Sequence, residues 1–240
     1  MSQSYFIWNG VDCRSRGIRL RGPVPIVKPE ERVQHVTIPG RDGELTLTEG
    51  EWIYESYIQT VSIQVTGAYH VREISKWLRG SGYVTFHGEP DRRQAARVIG
   101  AVTLEKHSKN LDVWEGECQF YCEPLKQKLL EESVNITSSG TKLRNTGDVI
   151  EKPLLQVTVT GDPVVIACGG KTLTITAGSS GATAYNIDCD AQIIWHGSGA
   201  LVTVDTQLSS GNFPQLLPGE NTLTGSGWSA VNVIRKERFL

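Results

Sequence analysis

The sequence is poor in cysteine and methionine, and it has no long run of apolar residues. Its five cysteines, at positions 13, 118, 122, 168 and 189, are odd in number and scattered, which argues against a disulfide framework. No stretch approaches the roughly 18 apolar residues of a membrane span, and the first residues lack the basic and apolar regions of a signal peptide. We therefore expect unpaired thiols, no membrane insertion and synthesis in a cytoplasm.

A surplus of charge is also absent. The 24 Lys and Arg residues nearly balance the 26 Asp and Glu residues, which leaves a formal net charge of −2. Tight binding to nucleic acid or to an anionic membrane usually requires a basic surplus, and this sequence supplies none. At 240 residues, the chain can form one large or two modest domains without disulfide or metal staples.

No sequence motif of a catalytic centre is present. The chain lacks a Walker loop, a dinucleotide-binding glycine motif, an H-E-x-x-H zinc motif and a G-x-S-x-G nucleophile elbow. Cys118 and Cys122 lie four apart on a predicted strand, about 13 Å from one another, which is too far for one metal ion. Asp188 and Asp190 could ligate calcium, but capping of a turn is the favoured role. We expect no catalytic residue, no metal and no cofactor, and a β-rich hydrolase is the least favoured function.

Hydrophobic and polar residues alternate with a period of two through most of the chain. Residues 44–48 and 60–66 show this pattern, which is typical of half-buried antiparallel strands. The turn sequence Pro-Gly-Arg-Asp-Gly at 39–43 predicts a hairpin between two such strands. One amphipathic helix is predicted over 70–79, and a long hairpin is predicted from strands at 95–106 and 112–123.

The amino-acid composition changes between residues 124 and 153, where charged and polar residues predominate. We place a domain boundary there and predict two domains, 1–130 and 131–240. The second domain has short apolar runs about ten residues apart, including one at 200–205, and this spacing predicts an antiparallel β-sandwich. Its Trp195 and Trp228 are candidates for a sugar-binding platform, although Trp195 could instead end a strand of the core. A carbohydrate-binding module is therefore the alternative function.

Short motifs along the whole chain resemble those of the distal tail proteins of siphophages. In the first half they are Phe6-Ile-Trp-Asn-Gly10, Gly17-Ile-Arg-Leu20, Ile38-Pro-Gly-Arg-Asp-Gly43 and Trp52-Ile-Tyr-Glu-Ser-Tyr57. In the second half they are Asn145-Thr-Gly147, Lys152-Pro-Leu154, Ile187-Asp188 and Phe213-Pro-Gln-Leu-Leu-Pro-Gly-Glu-Asn221. Their order and spacing carry the resemblance.

The resemblance implies a mainly β protein with an N-terminal β-sandwich that contains one α-helix and a C-terminal galectin-like antiparallel β-sandwich. It implies a structural subunit of the virion tail tip, assembled in the host cytoplasm. Six copies would form a ring that joins the tail tube protein to the tail-tip hub protein, with the tape measure protein as a further partner. DNA would pass through the ring without specific binding. The sugar-binding cluster of true galectins is not visible, so we expect weak or no sugar binding.

A ring subunit needs surfaces that contact its neighbours. The candidate interface residues are Arg41, Asp42, Trp52, Tyr54 and Tyr57, in the hairpin turn and the aromatic segment that follows it. For Arg41, the alternative is that only the geometry of the turn matters. The long hairpin is a further candidate, because its tip could reach beyond the core.

Overall fold

The computed structural model describes residues 4–48, 53–107, 111–176, 183–196, 207–208 and 212–240. The chain divides into two compact units, Met1–Leu129 together with Leu240, and Leu130–Phe239. Both units are built mainly from antiparallel strands, as the alternation in the sequence predicts. Among the described residues, no helix is long and apolar enough to cross a membrane.

The first unit contains a large antiparallel sheet, a separate hairpin and a helix. Its strands are β1 (Phe6–Trp8), β2 (Val11–Asp12), β3 (Ile18–Leu20), β4 (Val33–Thr37), β5 (Glu44–Thr48), β6 (Tyr57–Thr66), β7 (Ser81–Phe86), β8 (Arg92–Lys106) and β9 (Val113–Lys128). A 3-10 turn, Cys13–Arg16, follows β2, and the helix α1 is Ala68–Trp77. The large sheet has the order β2-β1-β7-β8-β9-β6-β3, and β4 pairs with β5 apart from it.

The large sheet curls so that it forms both walls of its own core. β1 and β9 are three strand spacings apart, which is about 14 Å in a flat sheet. Nevertheless, the ring of Phe120 on β9 lies 5.4 Å from the ring of Phe6 and 5.4 Å from the ring of Trp8, both on β1. The sheet must therefore fold over, which gives the two-walled arrangement of the predicted sandwich.

Helix α1 covers one side of this core. The side chains of Ile74 and Leu78 are buried, and Val71 and Trp77 pack beside them. The indole of Trp77 stacks on Phe6 with ring centres 5.9 Å apart. The sequence predicts this apolar stripe correctly, and the helix lies two residues earlier than the predicted span 70–79.

Strand β9 is longer than the sequence suggests. We predict its end at residue 123, where the charged and polar stretch begins, but the strand continues to Lys128. Lys126 is only 7% exposed and its ammonium lies 2.7 Å from the carboxylate of Glu89. A buried lysine with a carboxylate partner is compatible with a strand, whereas the sequence alone shows only a charged stretch.

The second unit is a sandwich of two antiparallel sheets. Its strands are β10 (Ser133–Ile136), β11 (Thr141–Asn145), β12 (Leu154–Val159), β13 (Val164–Cys168), β14 (Lys171–Thr176), β15 (Ala184–Asp188), β16 (Ile193–His196), β17 (Gln207–Leu208), β18 (Gly219–Ser226), β19 (Trp228–Ile234) and β20 (Arg238–Phe239). The sheets have the orders β10-β19-β12-β15-β16 and β11-β18-β13-β14-β17. The inward residues of both sheets form one core. The strand predicted at 200–205 lies outside the described residues.

A buried ion network crosses this second unit. The guanidinium of Arg235 donates to the carboxylate of Glu151 at 2.7–3.0 Å and to that of Glu237 at 2.9 Å. The backbone N–H of Lys236 also donates to Glu151 at 2.7 Å. Glu151 is fully buried, and Arg235 and Glu237 are nearly so. Loss of the cation would leave two carboxylates in an apolar setting.

Asp188 caps the turn that follows β15, as the sequence favours. Its Oδ1 accepts hydrogen bonds from the backbone N–H groups of Asp190 at 2.9 Å and Ala191 at 3.1 Å. Its other oxygen accepts a hydrogen bond from Lys236 at 3.1 Å. Burial alone would raise the pKa of Asp188, but these hydrogen bonds outweigh it and lower the pKa below its ordinary value.

We predict that Arg235→Met destabilises the full chain by about 3–5 kcal/mol, because it leaves buried carboxylates without their cation. Denaturant unfolding followed by circular dichroism measures the change. The matched control is Glu220→Gln, which breaks a pair with Lys142 that also joins neighbouring strands but whose side chains are 73% and 74% exposed. The control should change stability little. Equal effects of the two substitutions would contradict the assigned importance of the network.

We also predict that the native cysteines are unreactive. All five are unpaired and buried, and burial raises the pKa of Cys118, Cys122 and Cys189 to about 12. Because the thiolate is the nucleophile, a thiol reagent at pH 8 should label the native protein very slowly. After denaturation without reductant, all five thiols should react. A cystine-containing peptide, or rapid labelling of the native chain, would oppose this prediction.

Candidate assembly interface

The β4–β5 hairpin places Arg41 and Asp42 at an exposed turn. The backbone N–H of Arg41 donates to the carbonyl of Ile38 at 3.2 Å. Gly40 and Gly43 flank the two residues with φ of 83° and 75°, values that favour glycine. The side chains of Arg41 and Asp42 are both exposed. They are therefore available to another molecule, as the sequence predicts for an interface.

One face of the same hairpin is apolar and uncovered. Val36 lies opposite Leu45, and Leu47, two residues along β5, shares their face; Ile38 follows the end of β4. The side chains of Val36, Ile38 and Leu47 are 39%, 37% and 45% exposed. Within the described residues, no third strand pairs with this hairpin. A two-stranded sheet is marginally stable by itself in water, so a partner on this face would complete it.

The base of the hairpin is fixed by the segment that follows it. The backbone N–H of Arg32 donates to the carbonyl of Ile53 at 2.9 Å, and that of Glu55 donates to the carbonyl of Glu30 at 2.8 Å. The side chains of Arg32 and Glu55 form an ion pair at 2.7 Å. The hairpin therefore projects from an anchored base.

Two of the predicted aromatic residues, Tyr54 and Tyr57, are less accessible than Arg41 and Asp42. Tyr54 is 7% exposed, so its side chain offers little area to a neighbour. The hydroxyl of Tyr57 donates to the Oε1 of Gln94 at 3.0 Å, and burial raises the pKa of Tyr57 to about 12. Trp52 lies outside the described residues.

A second apolar surface, which the sequence analysis missed, lies on the outer face of the large sheet. Ile58 of β6 lies directly opposite Tyr121 of β9, and Arg97 of β8 lies on the other side of Tyr121. Tyr83 of β7 is exposed, and the guanidinium of Arg93 lies 4.6 Å from its ring centre. Ile58, Tyr83 and Tyr121 are 54%, 42% and 45% exposed. The signal in the sequence is an apolar residue at a position where the alternation of the strand calls for a polar one.

The long β8–β9 hairpin extends beyond β7, but β6 pairs with β9 as far as Val113. β7 pairs with β8 only as far as Arg97, and β8 continues to Lys106. The carboxylate of Glu115 on β9 accepts hydrogen bonds from Arg21 at 2.6 Å and Gln64 at 3.0 Å, and lies 3.0 Å from the Nδ1 of His107. Arg21, His107 and Glu115 line part of a polar cavity of about 670 Å³. The predicted hairpin tip, residues 108–110, lies outside the described part of the chain.

The two tryptophans proposed as a sugar platform lie apart. The indole N–H of Trp228 donates to the carbonyl of Val165 on the opposite sheet at 3.1 Å, and the ring packs against the core. Trp195 is half-buried on β16, next to Ile194, which is 7% exposed and points into the core. Because neighbouring residues of a strand face opposite sides, Trp195 points outward. Trp195 therefore lies near the end of β16, with its ring on the outward face of the sheet.

The described residues contain no group of three or more His, Cys, Asp or Glu side chains placed to hold a metal ion. The clusters of charge around Glu115, around Arg235 and around Glu89 are all made of paired side chains. The notable features of the surface are therefore uncovered apolar faces.

The chain has the fold of a solved phage protein. The crystal structure of the SPP1 Dit (gp 19.1) protein, described as a paradigm of the hub adsorption apparatus in phages that infect Gram-positive bacteria, matches it with a TM-score of 0.73. The match covers 100% of both chains at 18% sequence identity. No protein-family model and no curated protein sequence matches this chain. The likeness establishes a shared fold over the whole length, the Dit-like β-rich fold that the sequence motifs predict.

Proposed function

We propose that this protein is a structural subunit of a phage tail hub, and that six copies form a ring between the tail tube and the tail tip. The observation that carries the proposal is the match of fold over the full length of the SPP1 Dit hub protein. The number six rests on the family resemblance of the sequence. The role is structural, with no reaction catalysed.

The uncovered surfaces of the first unit suit a closed ring. Identical subunits that meet through two different surfaces must either close into a ring or continue as a filament. The apolar face of the β4–β5 hairpin supplies one surface, and the outer face around Ile58 and Tyr121 supplies a different one. In the proposed contact, the hairpin of one copy packs on the sheet face of the next. Arg41 and Asp42 at the hairpin turn then contact the neighbour.

The partners follow from the position of the ring. One side contacts the tail tube protein, the other contacts the tail-tip hub protein, and the tape measure protein passes within. DNA crosses the lumen without specific binding, because a net charge of −2 per chain offers no surplus of cations to retain phosphates. The protein is accordingly located at the tail tip of the virion.

Electron microscopy tests the proposal at two levels. The purified full-length protein, at increasing concentration and with the tail tube and tail-tip proteins, should give rings with six-fold symmetry. Antibody labelling of intact tails should place the protein at the junction of tube and tip. If no six-fold ring forms under any of these conditions and intact tails lack the protein at that junction, the hub assignment is wrong.

We predict that the double substitution Val36→Asn and Leu47→Asn prevents ring formation, because it places amides on the apolar face of the hairpin. The subunit itself should keep its unfolding curve, since both side chains are already exposed. The matched control, Thr37→Asn, alters the opposite face of the same hairpin and should leave assembly intact. Sedimentation velocity or mass photometry measures the assembly. Normal rings from the double variant would exclude the hairpin contact.

A further inference from the structure

A row of four amide side chains and one indole crosses the outer face of one sheet of the second unit. The residues lie opposite one another across the sheet β10-β19-β12-β15-β16. In strand order, they are Asn135, Asn232, Gln156, Asn186 and Trp195. We refer to these five residues as the amide row.

The amide row faces away from the core along its whole length. Most of its neighbours along the strands, among them Val157, Ile187 and Val233, are fully or almost fully buried. Side chains alternate along a strand, so the residues of the row must point outward. Asn135 and Gln156 are exposed, and the other three residues are half-buried.

The row retains most of its capacity for hydrogen bonds. Each amide group has two N–H donors and a carbonyl oxygen that accepts. The Nδ2 of Asn232 donates to the Oε1 of Gln156 at 3.0 Å, which uses one donor and orients both groups. The remaining donors and acceptors lie side by side at the spacing of neighbouring strands, about 4.8 Å.

The stability of the fold does not account for this composition. Asn is among the residues depleted in strands, which favour β-branched and aromatic residues. The adjacent rows on the same face are more ordinary. One contains Leu154 and Ile234, and the other contains Thr158 and Ala230. Three asparagines in one row of a sheet indicate a functional site, because such local departures concentrate where function requires them.

We propose that the amide row binds a neutral oligosaccharide. The indole of Trp195 stacks on the apolar face of one sugar ring, and the amides exchange hydrogen bonds with the hydroxyl groups of the following rings. Four strand spacings make the row about 19 Å long, enough for several sugar units. The row carries no charge, and in the row beside it Asp188 is paired with Lys236 at 3.1 Å. A neutral, hydroxyl-rich ligand therefore fits better than a phosphate or a nucleic acid.

This site differs from the platform of two tryptophans considered for the sequence, because Trp228 takes no part in it. The proposal replaces the expectation of weak or no sugar binding, which rested on the missing cluster of true galectins and not on this sheet face. It also goes beyond the role of a tail hub. A hub could be built without a glycan site, and a glycan site could exist on a protein that forms no ring. The two proposals can therefore fail separately.

The test is binding of the full-length protein to an array of neutral oligosaccharides built from hexoses and N-acetylhexosamines, followed by calorimetry on any hit. We expect a selective hit whose affinity falls about tenfold or more in Trp195→Ala, through loss of the stacked ring. Asn186→Ala should weaken binding several-fold. Thermal unfolding by circular dichroism checks that each variant is folded.

Two control variants fix the position of the site. Thr158→Ala changes the same face of β12 one row away, and Trp228→Phe removes the other candidate indole. Both variants should bind the oligosaccharide with the affinity of the unsubstituted protein. The absence of any hit, a preference for charged glycans, or a hit that survives Trp195→Ala combined with Asn186→Ala would overturn the proposal. Ring formation by the Trp195→Ala variant reports on the hub assignment independently.

Discussion

The pairing of β9 with both β6 and β8 is the interaction on which the first unit depends. Along β9, Cys118, Phe120 and Cys122 enter the core, so the residues between them must face outward. A slip of one residue would exchange the two faces of the strand and expose the core. Since burial fixes the register, Tyr121 cannot avoid the surface. Its exposed partner Ile58 is fixed there by the same pairing. An apolar outer face is thus a stable property of this sheet, and it is the kind of surface that another subunit would cover.

Period-two alternation, turn residues and one helical stripe are local signals, and the features that rest on them were predictable. The helix, the β4–β5 hairpin and the strand character of both halves follow from them. Features that depend on partners distant in the sequence could not be predicted. Arg235 and Glu151 are 84 residues apart, and Arg21 and Glu115 are 94 apart. From the sequence alone, each of these four charged residues is interpreted as a solvated surface residue. The extension of β9 through Lys126 was missed for the same reason, since its partner Glu89 lies on another segment.

The candidate interface shows the same division between local and distant signals. The turn that holds Arg41 and Asp42 follows from local sequence chemistry, and both side chains are exposed. Tyr54 and Tyr57 belong to the aromatic segment that the sequence predicts as part of an interface, but whether an aromatic side chain is buried depends on what packs around it. The apolar face of the hairpin was visible as alternation, yet alternation alone could not show that the chain leaves this face uncovered. That observation needed the sheet topology.

The two units offer surfaces with different chemistry, and the difference matches the two kinds of contact we propose. The apolar face that contains Val36 and Leu47, and the one that contains Ile58 and Tyr121, are stabilised in a contact by the area removed from water. This suits a contact that remains closed once formed. The amide row gains little from burial, because each hydrogen bond to a ligand replaces one to water. Individual contacts there are weak, and several equivalent copies are needed for firm attachment. A ring of identical subunits provides that multiplicity, since each further site engages at a high effective concentration. In this arrangement, strong contacts between subunits make weak contacts with a glycan sufficient.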